Sequence, residues 1–282
     1  MKILVTGAAG FIGTHLFSHL TKRQAQHTVT GIDHLPLHEW ELPGLTWREQ
    51  QVCDVVCDEI PYFDVCYHLA AEARIQPSFG RPLDYIRTNV IGTASILEKA
   101  KECGGTVIYA GSSTADDDPM KNPYALSKYQ GEQLCKLYAE HFGVPTAIAR
   151  FYNVYGPGQV EEGEQATVLG IWLKQHRDGK PLTITGDGSQ KRDFTHVEDI
   201  VAGLVAIASK GAKNGIKYSL GTGRNIPILE VARMITSAGL TFIPGRPGES
   251  YETLADVLST KVITGWQATR RLEDFIKDAL GY

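Results

Sequence analysis

The chain has 282 residues, of which 43% are hydrophobic and 21% are charged, and its formal net charge is −4. This length and composition suit one large globular domain, or one domain with a smaller partner. A slightly acidic protein has no general attraction for nucleic acid, and no apolar stretch approaches the ~20 residues that a membrane helix needs. We therefore expect a cytoplasmic protein that binds neither nucleic acid nor membrane.

The five cysteines, at positions 53, 57, 66, 103 and 135, are odd in number and irregularly spaced, which does not indicate a disulfide framework. Cys53 and Cys57 lie close together, but no second pair of cysteines or histidines follows to complete a metal site. We expect reduced thiols and no bound metal.

Short apolar runs alternate with helical patterns along the first half of the chain. Strands are predicted over residues 2–6, 27–33, 63–69, 106–110 and 146–151, and helices over residues 12–22, 82–103 and 123–142. This alternation predicts an α/β fold with a Rossmann-type, doubly wound parallel sheet covered by helices on both faces. The less regular C-terminal part is predicted to form a smaller, loop-rich region.

A glycine-rich turn with the sequence TGAAGFIG follows the first predicted strand and opens the first predicted helix. Gly7, Gly10 and Gly13 at this spacing permit a tight turn and let a pyrophosphate approach the backbone at the helix N-terminus. A plain strand–helix turn also favours glycine. Here the strand, turn and helix are joined by an acidic residue downstream, which together indicate a dinucleotide site.

That acidic residue is Asp33, which lies twenty residues after Gly13 at the end of the second predicted strand. A carboxylate there accepts hydrogen bonds from both adenosine ribose hydroxyls and repels a 2′-phosphate, which favours NAD over NADP. The alternative is an Asp that only caps a turn. Asp54, after a possible third strand, is a further candidate for a contact with the adenine.

Tyr124 and Lys128 lie one helical turn apart on a predicted helix and therefore share one face. A free tyrosine has a pKa of about 10, and a nearby cation lowers it. Tyr124 is predicted to take a proton from a sugar hydroxyl while hydride passes to the nicotinamide, whose ribose Lys128 holds. In isolation, this spacing would indicate only a surface contact.

Hydroxyl side chains follow the strand predicted at 106–110. At the carboxyl end of a parallel strand they face the crevice where ligands bind, although such residues often only form turns. Ser112 is the predicted partner of Tyr124 on the sugar oxygen, and Ser113 is the alternative in the neighbouring register.

These motifs resemble those of the extended short-chain dehydrogenase/reductase family, in its NAD-dependent epimerase/dehydratase branch that acts on nucleotide sugars. The segments TGAAGFIG, HLAA (68–71), NVIGT (89–93) and PYALSK (123–128) match the family's motifs. The resemblance implies a Ser112–Tyr124–Lys128 catalytic triad. It also implies that NAD is bound by Gly7, Gly10, Phe11, Ile12, Gly13, Asp33, Asp54, Leu69, Ala70, Ala71, Asn89, Tyr124, Lys128 and Tyr152.

Further motifs extend the resemblance over nearly the whole chain: RFYNVYGPG (150–158), GDGSQKRDF (186–194) and RPGE (246–249). They imply an NAD-binding domain over 1–153, to which 187–214 returns, and a nucleotide-sugar region mainly over 154–282. The residues implied to bind substrate are Ser113, Asn153, Arg192 and Arg246. Two guanidinium groups suit a diphosphate because their forked donors match paired oxygens, whereas a lone Arg usually belongs to the solvated surface.

The segment between Ser112 and Tyr124 departs from the family pattern, because it is short, lacks a Tyr-Gly pair and carries three consecutive Asp residues at 116–118. Dehydratases of the family place a carboxylate directly after the catalytic hydroxyl, and this chain does not. The resemblance therefore favours a 4-epimerase that oxidises its substrate transiently, and it implies a homodimer through the helices at 82–103 and 123–142. The alternatives are a 4,6-dehydratase, a keto-sugar reductase or a non-catalytic dinucleotide sensor.

Overall fold

The computed structural model describes residues 1–23, 27–35, 45–53, 59–116, 118–210, 214–236 and 239–282. Its thirteen described strands are β1 (Lys2–Thr6), β2 (Thr28–Asp33), β3 (Leu45–Glu49), β4 (Val65–His68), β5 (Thr106–Ser112), β6 (Thr146–Phe151), β7 (Val154–Tyr155), β8 (Leu182–Thr185), β9 (Lys191–Asp193), β10 (Thr195–His196), β11 (Ile216–Leu220), β12 (Asn225–Pro227) and β13 (Leu240–Ile243).

Seven of these strands form one parallel sheet in the order β11-β6-β5-β4-β1-β2-β3. The chain winds outward from β1 through β2 to β3, then crosses to β4 and winds outward in the other direction. The order therefore reverses between β1 and β4, and the carboxyl ends of these two strands border a crevice in which doubly wound folds bind ligands. All five predicted strands are confirmed within this sheet.

The helices lie on both faces of the sheet, as predicted. Their bounds are α1 (Phe11–Arg23), α2 (Ile75–Gly80), α3 (Pro82–Ile86), α4 (Gly92–Cys103), α5 (Pro123–Phe142), α6 (Val168–Arg177), α7 (Val197–Lys210), α8 (Ile228–Ile235), α9 (Leu258–Thr264) and α10 (Leu272–Leu280). Side chains of α1 and α7 share one buried apolar cluster with the sheet, and side chains of α4 and α5 share another.

The helical run predicted over 82–103 contains an irregularity that its apolar spacing does not reveal. A π-helical turn, Arg87–Ile91, separates α3 from α4. Such wide turns occur frequently at functional sites because they change the direction of one side chain without ending the helix. Here the buried residue on the wide turn is Asn89.

The C-terminal part forms a smaller region beside the sheet. The strand pairs β8–β13, β9–β12 and β7–β10 enclose a third apolar cluster with α6, α8 and α10. The chain returns to the large sheet through α7 and β11, so the returning segment reaches Leu220, past residue 214. The proposed domain boundaries themselves remain a prediction.

Within the described ranges, the structure contains no helix with the length and apolar character of a membrane span. No group of three or more His, Cys, Asp and Glu side chains among the described residues is arranged to hold a metal ion. Cys53, Cys66, Cys103 and Cys135 form no disulfide in the described part of the chain, and Cys57 lies outside the described residues.

Asp193, at the end of β9, joins the smaller region to the large sheet. Its fully buried carboxylate accepts hydrogen bonds from the Thr222 amide (2.9 Å) and hydroxyl (2.6 Å), and from the amides of Gly223 (3.0 Å) and Ala255 (3.2 Å). One side chain thus fixes the loop after β11 and the segment before α9.

Replacing Asp193 by Ala is expected to lower the free energy of unfolding by about 3 kcal/mol, because it leaves buried donors without an acceptor. Urea denaturation measures this change. Asp187→Ala is the control, since that exposed carboxylate bonds locally, to Ser189 two residues away, and its effect should stay below about 1 kcal/mol. An equally small effect for Asp193→Ala would contradict the anchoring role.

Candidate active site

The glycine turn between β1 and α1 is packed too closely for any side chain at two of its positions. A Cβ on Gly7, whose φ is 70°, would lie 2.6 Å from the Ala70 amide nitrogen, and a Cβ on Gly13 would lie 2.0 Å from the Gly7 carbonyl oxygen. Because these glycines carry no side chain, the first amide groups of α1 are accessible at the helix N-terminus, where a pyrophosphate can bind them. Phe11 and Ile12 are half-buried in this first turn.

Asp33 lies next to this turn at the carboxyl end of β2, and its side chain is buried. Its Oδ2 accepts a hydrogen bond from the Ala9 amide (2.9 Å), and its Oδ1 accepts one from the Leu35 amide (3.1 Å). The carboxylate is thus fixed beside the glycine turn, where the ribose of a dinucleotide would meet it. Asp54, the candidate for the adenine contact, lies outside the described residues.

The HLAA segment crosses from β4 toward the crevice and is tied to β1. The Leu69 amide donates to the Thr6 carbonyl oxygen (3.1 Å), and the Ala70 amide donates to the Thr6 hydroxyl oxygen (3.2 Å). Buried His68 lies between the hydroxyls of Thr6 (2.7 Å) and Thr93 (3.0 Å). Burial and the charge of Lys128 lower the pKa of His68 to about 3, so the ring is neutral.

Sequence reasoning did not assign Thr6, His68 and Thr93 a role, although the HLAA and NVIGT motifs contain two of them. In the structure these three side chains fix the turn that faces the crevice. Ala71, which follows in the same turn, is half-buried.

Both polar atoms of the Asn89 side-chain amide form hydrogen bonds within the protein. Its Oδ1 accepts from the Glu72 amide (2.8 Å), and its Nδ2 donates to the Glu72 carbonyl (2.9 Å) and the Ser127 hydroxyl (2.9 Å). The wide helical turn thus brings Asn89 between the HLAA segment and α5. Its predicted cofactor contact stays a prediction, and the structure gives it a bridging position.

Tyr124 lies in the first turn of α5, which Asn122 caps by accepting a hydrogen bond from the Ala125 amide (2.7 Å). The side chain of Ser112, at the end of β5, lies close enough to the Tyr124 phenol to influence its pKa. The Ser112 hydroxyl oxygen also lies 2.9 Å from that of Thr114. The structure therefore brings Ser112 to the tyrosine, which favours Ser112 over its neighbour Ser113.

The pKa of Tyr124 is governed by three effects. Burial raises this pKa, while the nearby Ser112 hydroxyl and the positive charge of Arg74 lower it. We expected the lowering cation to be Lys128, but in the structure it is Arg74. Lys128 lies one turn further along α5, where its Nζ is 4.8 Å from the centroid of the Tyr109 ring.

Lys128 itself is almost fully buried, with 3% exposure. Burial lowers its pKa to about 8, and the carboxylate of Glu132 opposes that shift. The ammonium group therefore loses its proton at a pH close to the physiological range.

Asp116, in the acidic segment between Ser112 and Tyr124, is exposed but contacts the sheet domain, while Asp117 lies outside the described residues. Asp116 forms an ion pair with Arg150 and accepts a hydrogen bond from the Tyr152 hydroxyl (2.8 Å). Arg150 also binds Glu132 through two hydrogen bonds of 2.8 and 2.6 Å. Tyr152, predicted to lie near the nicotinamide, thus has its hydroxyl group held by the acidic segment.

The predicted substrate residues lie around the loop that follows β13. Asn153, with a φ of 30°, donates from Nδ2 to the Asp193 carbonyl and the Thr253 hydroxyl, each at 3.2 Å.

The two arginines predicted to bind the diphosphate differ in exposure. Arg192 is mostly buried, donates to the Tyr251 carbonyl (3.2 Å) and lies 3.9 Å from Glu249. Arg246 is exposed on the same loop. No contact between the two arginines is present in this described part of the chain, and their shared diphosphate stays a prediction.

The family model described as "NAD dependent epimerase/dehydratase family" matches residues 3–221. One relative is the uncharacterized UDP-glucose epimerase YtcB of Bacillus subtilis (strain 168). It is 32% identical over 313 aligned residues, which cover 100% of this chain and 98% of the relative.

Two solved structures resemble the whole fold. One is a UDP-glucuronic acid 4-epimerase from Bacillus cereus in complex with UDP-glucuronic acid and NAD, with a TM-score of 0.85, 29% identity, and coverage of 98% of this chain and 97% of the other. The other is MoeE5 in complex with UDP-glucuronic acid and NAD, with a TM-score of 0.87, 29% identity, and coverage of 98% and 96%. The chain therefore belongs to the NAD-dependent epimerase/dehydratase family, a group of extended short-chain dehydrogenase/reductase enzymes, and uses NAD as its cofactor.

Proposed function

We propose that this protein is a nucleotide-sugar 4-epimerase, which oxidises the sugar transiently at C4 and reduces it again from the opposite face. The observation that carries the proposal is the placement of the Ser112 side chain, at the carboxyl end of β5, beside the phenol of Tyr124 in the first turn of α5. Relatives named for UDP-sugar epimerisation support the same substrate class.

Tyr124 is the base in this mechanism. Its phenol oxygen takes the proton of the sugar 4-hydroxyl, and Ser112 holds that oxygen through a second hydrogen bond. A bound NAD would supply the hydride-transfer chemistry of its nicotinamide at the sugar C4. Lys128 orients the nicotinamide ribose, and the glycine turn and Asp33 hold the rest of the dinucleotide.

The substrate must stay bound while its oxidised ring turns over. Arg192 and Arg246 hold the diphosphate by charge, and Asn153 and Ser113 complete the substrate contacts. The sugar ring is then free to present its other face to the returning hydride, which inverts the configuration at C4.

The position of Asp116 favours epimerisation over dehydration. A dehydratase needs a carboxyl group that moves a proton at the carbon next to the oxidised one. The Asp116 carboxylate is instead occupied by its ion pair with Arg150 and by the hydrogen bond from the Tyr152 hydroxyl. The nearest described carboxylate after Ser112 in the chain thus serves to anchor its own segment.

The enzyme is further proposed to act as a cytoplasmic homodimer through α3, α4 and α5. Apolar side chains on the outer surface of these helices support this assembly: Leu83, Leu137 and Phe142 are 70%, 44% and 47% exposed. Burying such side chains against a second copy removes apolar area from water. The free thiols of Cys66 and Cys135 fit a reducing compartment.

Tyr124→Phe is expected to lower kcat at least 100-fold, because the variant lacks the general base, while NAD affinity stays within about threefold. The measurement follows conversion of UDP-glucose and UDP-glucuronic acid to their 4-epimers without added NADH. Tyr129→Phe is the matched control, since Tyr129 lies on the same helix with 37% exposure.

Conversion that requires stoichiometric NADH would identify a reductase, and a 4-keto-6-deoxy product would identify a dehydratase. A Tyr124→Phe variant that keeps more than a tenth of its activity would refute the role of the base.

Asp33→Asn is expected to weaken NAD binding about tenfold or more and to reduce the ratio of NAD affinity to NADP affinity. The charged acceptor is lost, while the size and shape of the side chain are kept. Calorimetric titration of cofactor-free protein measures both affinities. Asp64→Asn is the control, since Asp64 binds the Lys2 amide (2.6 Å) at the opposite edge of the sheet. Unchanged affinities for Asp33→Asn would place the ribose elsewhere.

Lys128→Met is expected to change how stability depends on pH. The pKa of Lys128 is about 8 in the folded protein and 10.5 in the unfolded chain, so the unfolded chain binds more protons between these values. Wild-type stability therefore rises with pH across this window, by up to about 3 kcal/mol relative to Lys128→Met.

Urea denaturation of both cofactor-free proteins at pH 7 and pH 10 tests this expectation, and comparison of the two proteins cancels the other titrating groups. A stability difference that stays constant between the two pH values would show that Lys128 carries no buried charge.

A further inference from the structure

The backbone of Arg74 adopts a conformation that L-residues rarely take. Its φ is 82°, directly before α2, where a glycine would fit without strain. Fully buried Tyr85 holds this conformation, because its hydroxyl donates to the carbonyl oxygens of Ala73 (2.7 Å) and Arg74 (2.9 Å). Strain of this kind persists where the surrounding structure enforces it, commonly at functional sites.

The same region is fixed against the catalytic helix. The ring of Tyr85 packs edge-on against the ring of Tyr124, with centroids 6.1 Å apart. On the other side, Glu72 is tied through Asn89 to Ser127 of α5. Arg74 is therefore held beside the phenol that we propose as the base.

The guanidinium of Arg74 binds the segment before α6, which belongs to the smaller region. Its Nε and Nη2 both donate to the Gln165 carbonyl oxygen, at 3.0 and 2.8 Å. No carboxylate in the described ranges of the chain forms an ion pair with it. Neighbouring Arg81, by contrast, pairs with Glu164. The charge of Arg74 thus acts on Tyr124 and is not paired with any carboxylate that the structure describes.

We propose that Arg74 is a specificity-determining residue that binds a carboxylate on the sugar, so that the substrate is a nucleotide-linked uronic acid. The inference rests on the proposed function, because Tyr124 must contact the C4 oxygen. The carbon next to C4 on one side, C5, carries C6, and a carboxylate there lies within reach of a cation beside the phenol. A mostly buried cation is costly without an anion, and a substrate carboxylate compensates that cost by a charge-assisted hydrogen bond.

The test measures binding, with turnover blocked by the Tyr124→Phe background. UDP-glucuronic acid and UDP-glucose are titrated into NAD-loaded protein with Arg74, Arg74→Gly or Arg74→Lys. Glycine suits the backbone at a φ of 82°, so Arg74→Gly keeps the fold, which thermal unfolding verifies. Arg81→Ala is the matched control, because it removes a neighbouring cation that already has a partner.

Protein with Arg74 is expected to prefer the acidic sugar, and Arg74→Gly is expected to reduce that preference about 30-fold. Arg74→Lys should retain part of it, and Arg81→Ala should retain all of it. Loss of the Gln165 contact is expected to change the affinities for both nucleotide sugars equally. The ratio of the two affinities therefore reports only the contribution of the substrate carboxylate.

An affinity ratio that is the same with Arg74 and with Arg74→Gly overturns the inference. A wild-type enzyme that binds and epimerises UDP-glucose but not UDP-glucuronic acid also overturns it, yet leaves the proposed function standing. A third result is a preference for UDP-glucuronic acid that depends on Arg74, combined with no epimerisation by the wild-type enzyme. In that case the carboxylate site is supported and the proposed function is wrong.

Discussion

The site depends on one close approach, between the glycine turn after β1 and the HLAA turn after β4. The backbone of Gly7 comes so near to Ala70 that a single Cβ would lie 2.6 Å from its amide nitrogen. Because β1 and β4 are neighbours at the point where the strand order reverses, this approach defines the floor of the crevice. The hydroxyl of Thr6 and the ring of His68 then hold the two turns together from below.

Around this floor the structure separates charges that are already paired from charges that remain available. Arg150 is paired with Glu132 and Asp116, and this network fixes the acidic segment and Tyr152. Lys128 is buried with a lowered pKa, and Arg74 has no acidic partner among the described side chains. An unpaired cation beside a phenol, such as Arg74, suits chemistry in which negative charge develops on an oxygen, whereas paired charges provide rigidity.

Most of the fold was predictable from the sequence because its signals are local. The apolar runs of β1 and β5, the glycine turn and the start of α5 at Pro123 each depend on a few consecutive residues, and the structure confirms them. The spacing of Tyr124 and Lys128 also placed both side chains on one helix. These local signals do not show which side chains from distant segments meet. Lys128 points over the Tyr109 ring, and Arg74, fifty positions before Tyr124, supplies the positive charge beside the phenol.

The features that escaped sequence reasoning all arise from contacts between distant segments. The wide turn at Asn89 forms where its side-chain amide makes hydrogen bonds with both Glu72 and Ser127. The spacing of apolar residues along a helix does not reveal such hydrogen bonds. The left-handed backbone of Arg74 is imposed by Tyr85, eleven residues later.

An arginine at such a position is disfavoured by its own backbone, since glycine adopts the same conformation without cost. Its hydrogen bonds to the Gln165 carbonyl do not require a charge, because a neutral donor would also satisfy that oxygen. The feature that only a cation explains is the placement of a guanidinium beside Tyr124. Backbone strain and uncompensated charge therefore argue together that this side chain is present for a ligand and not for the fold.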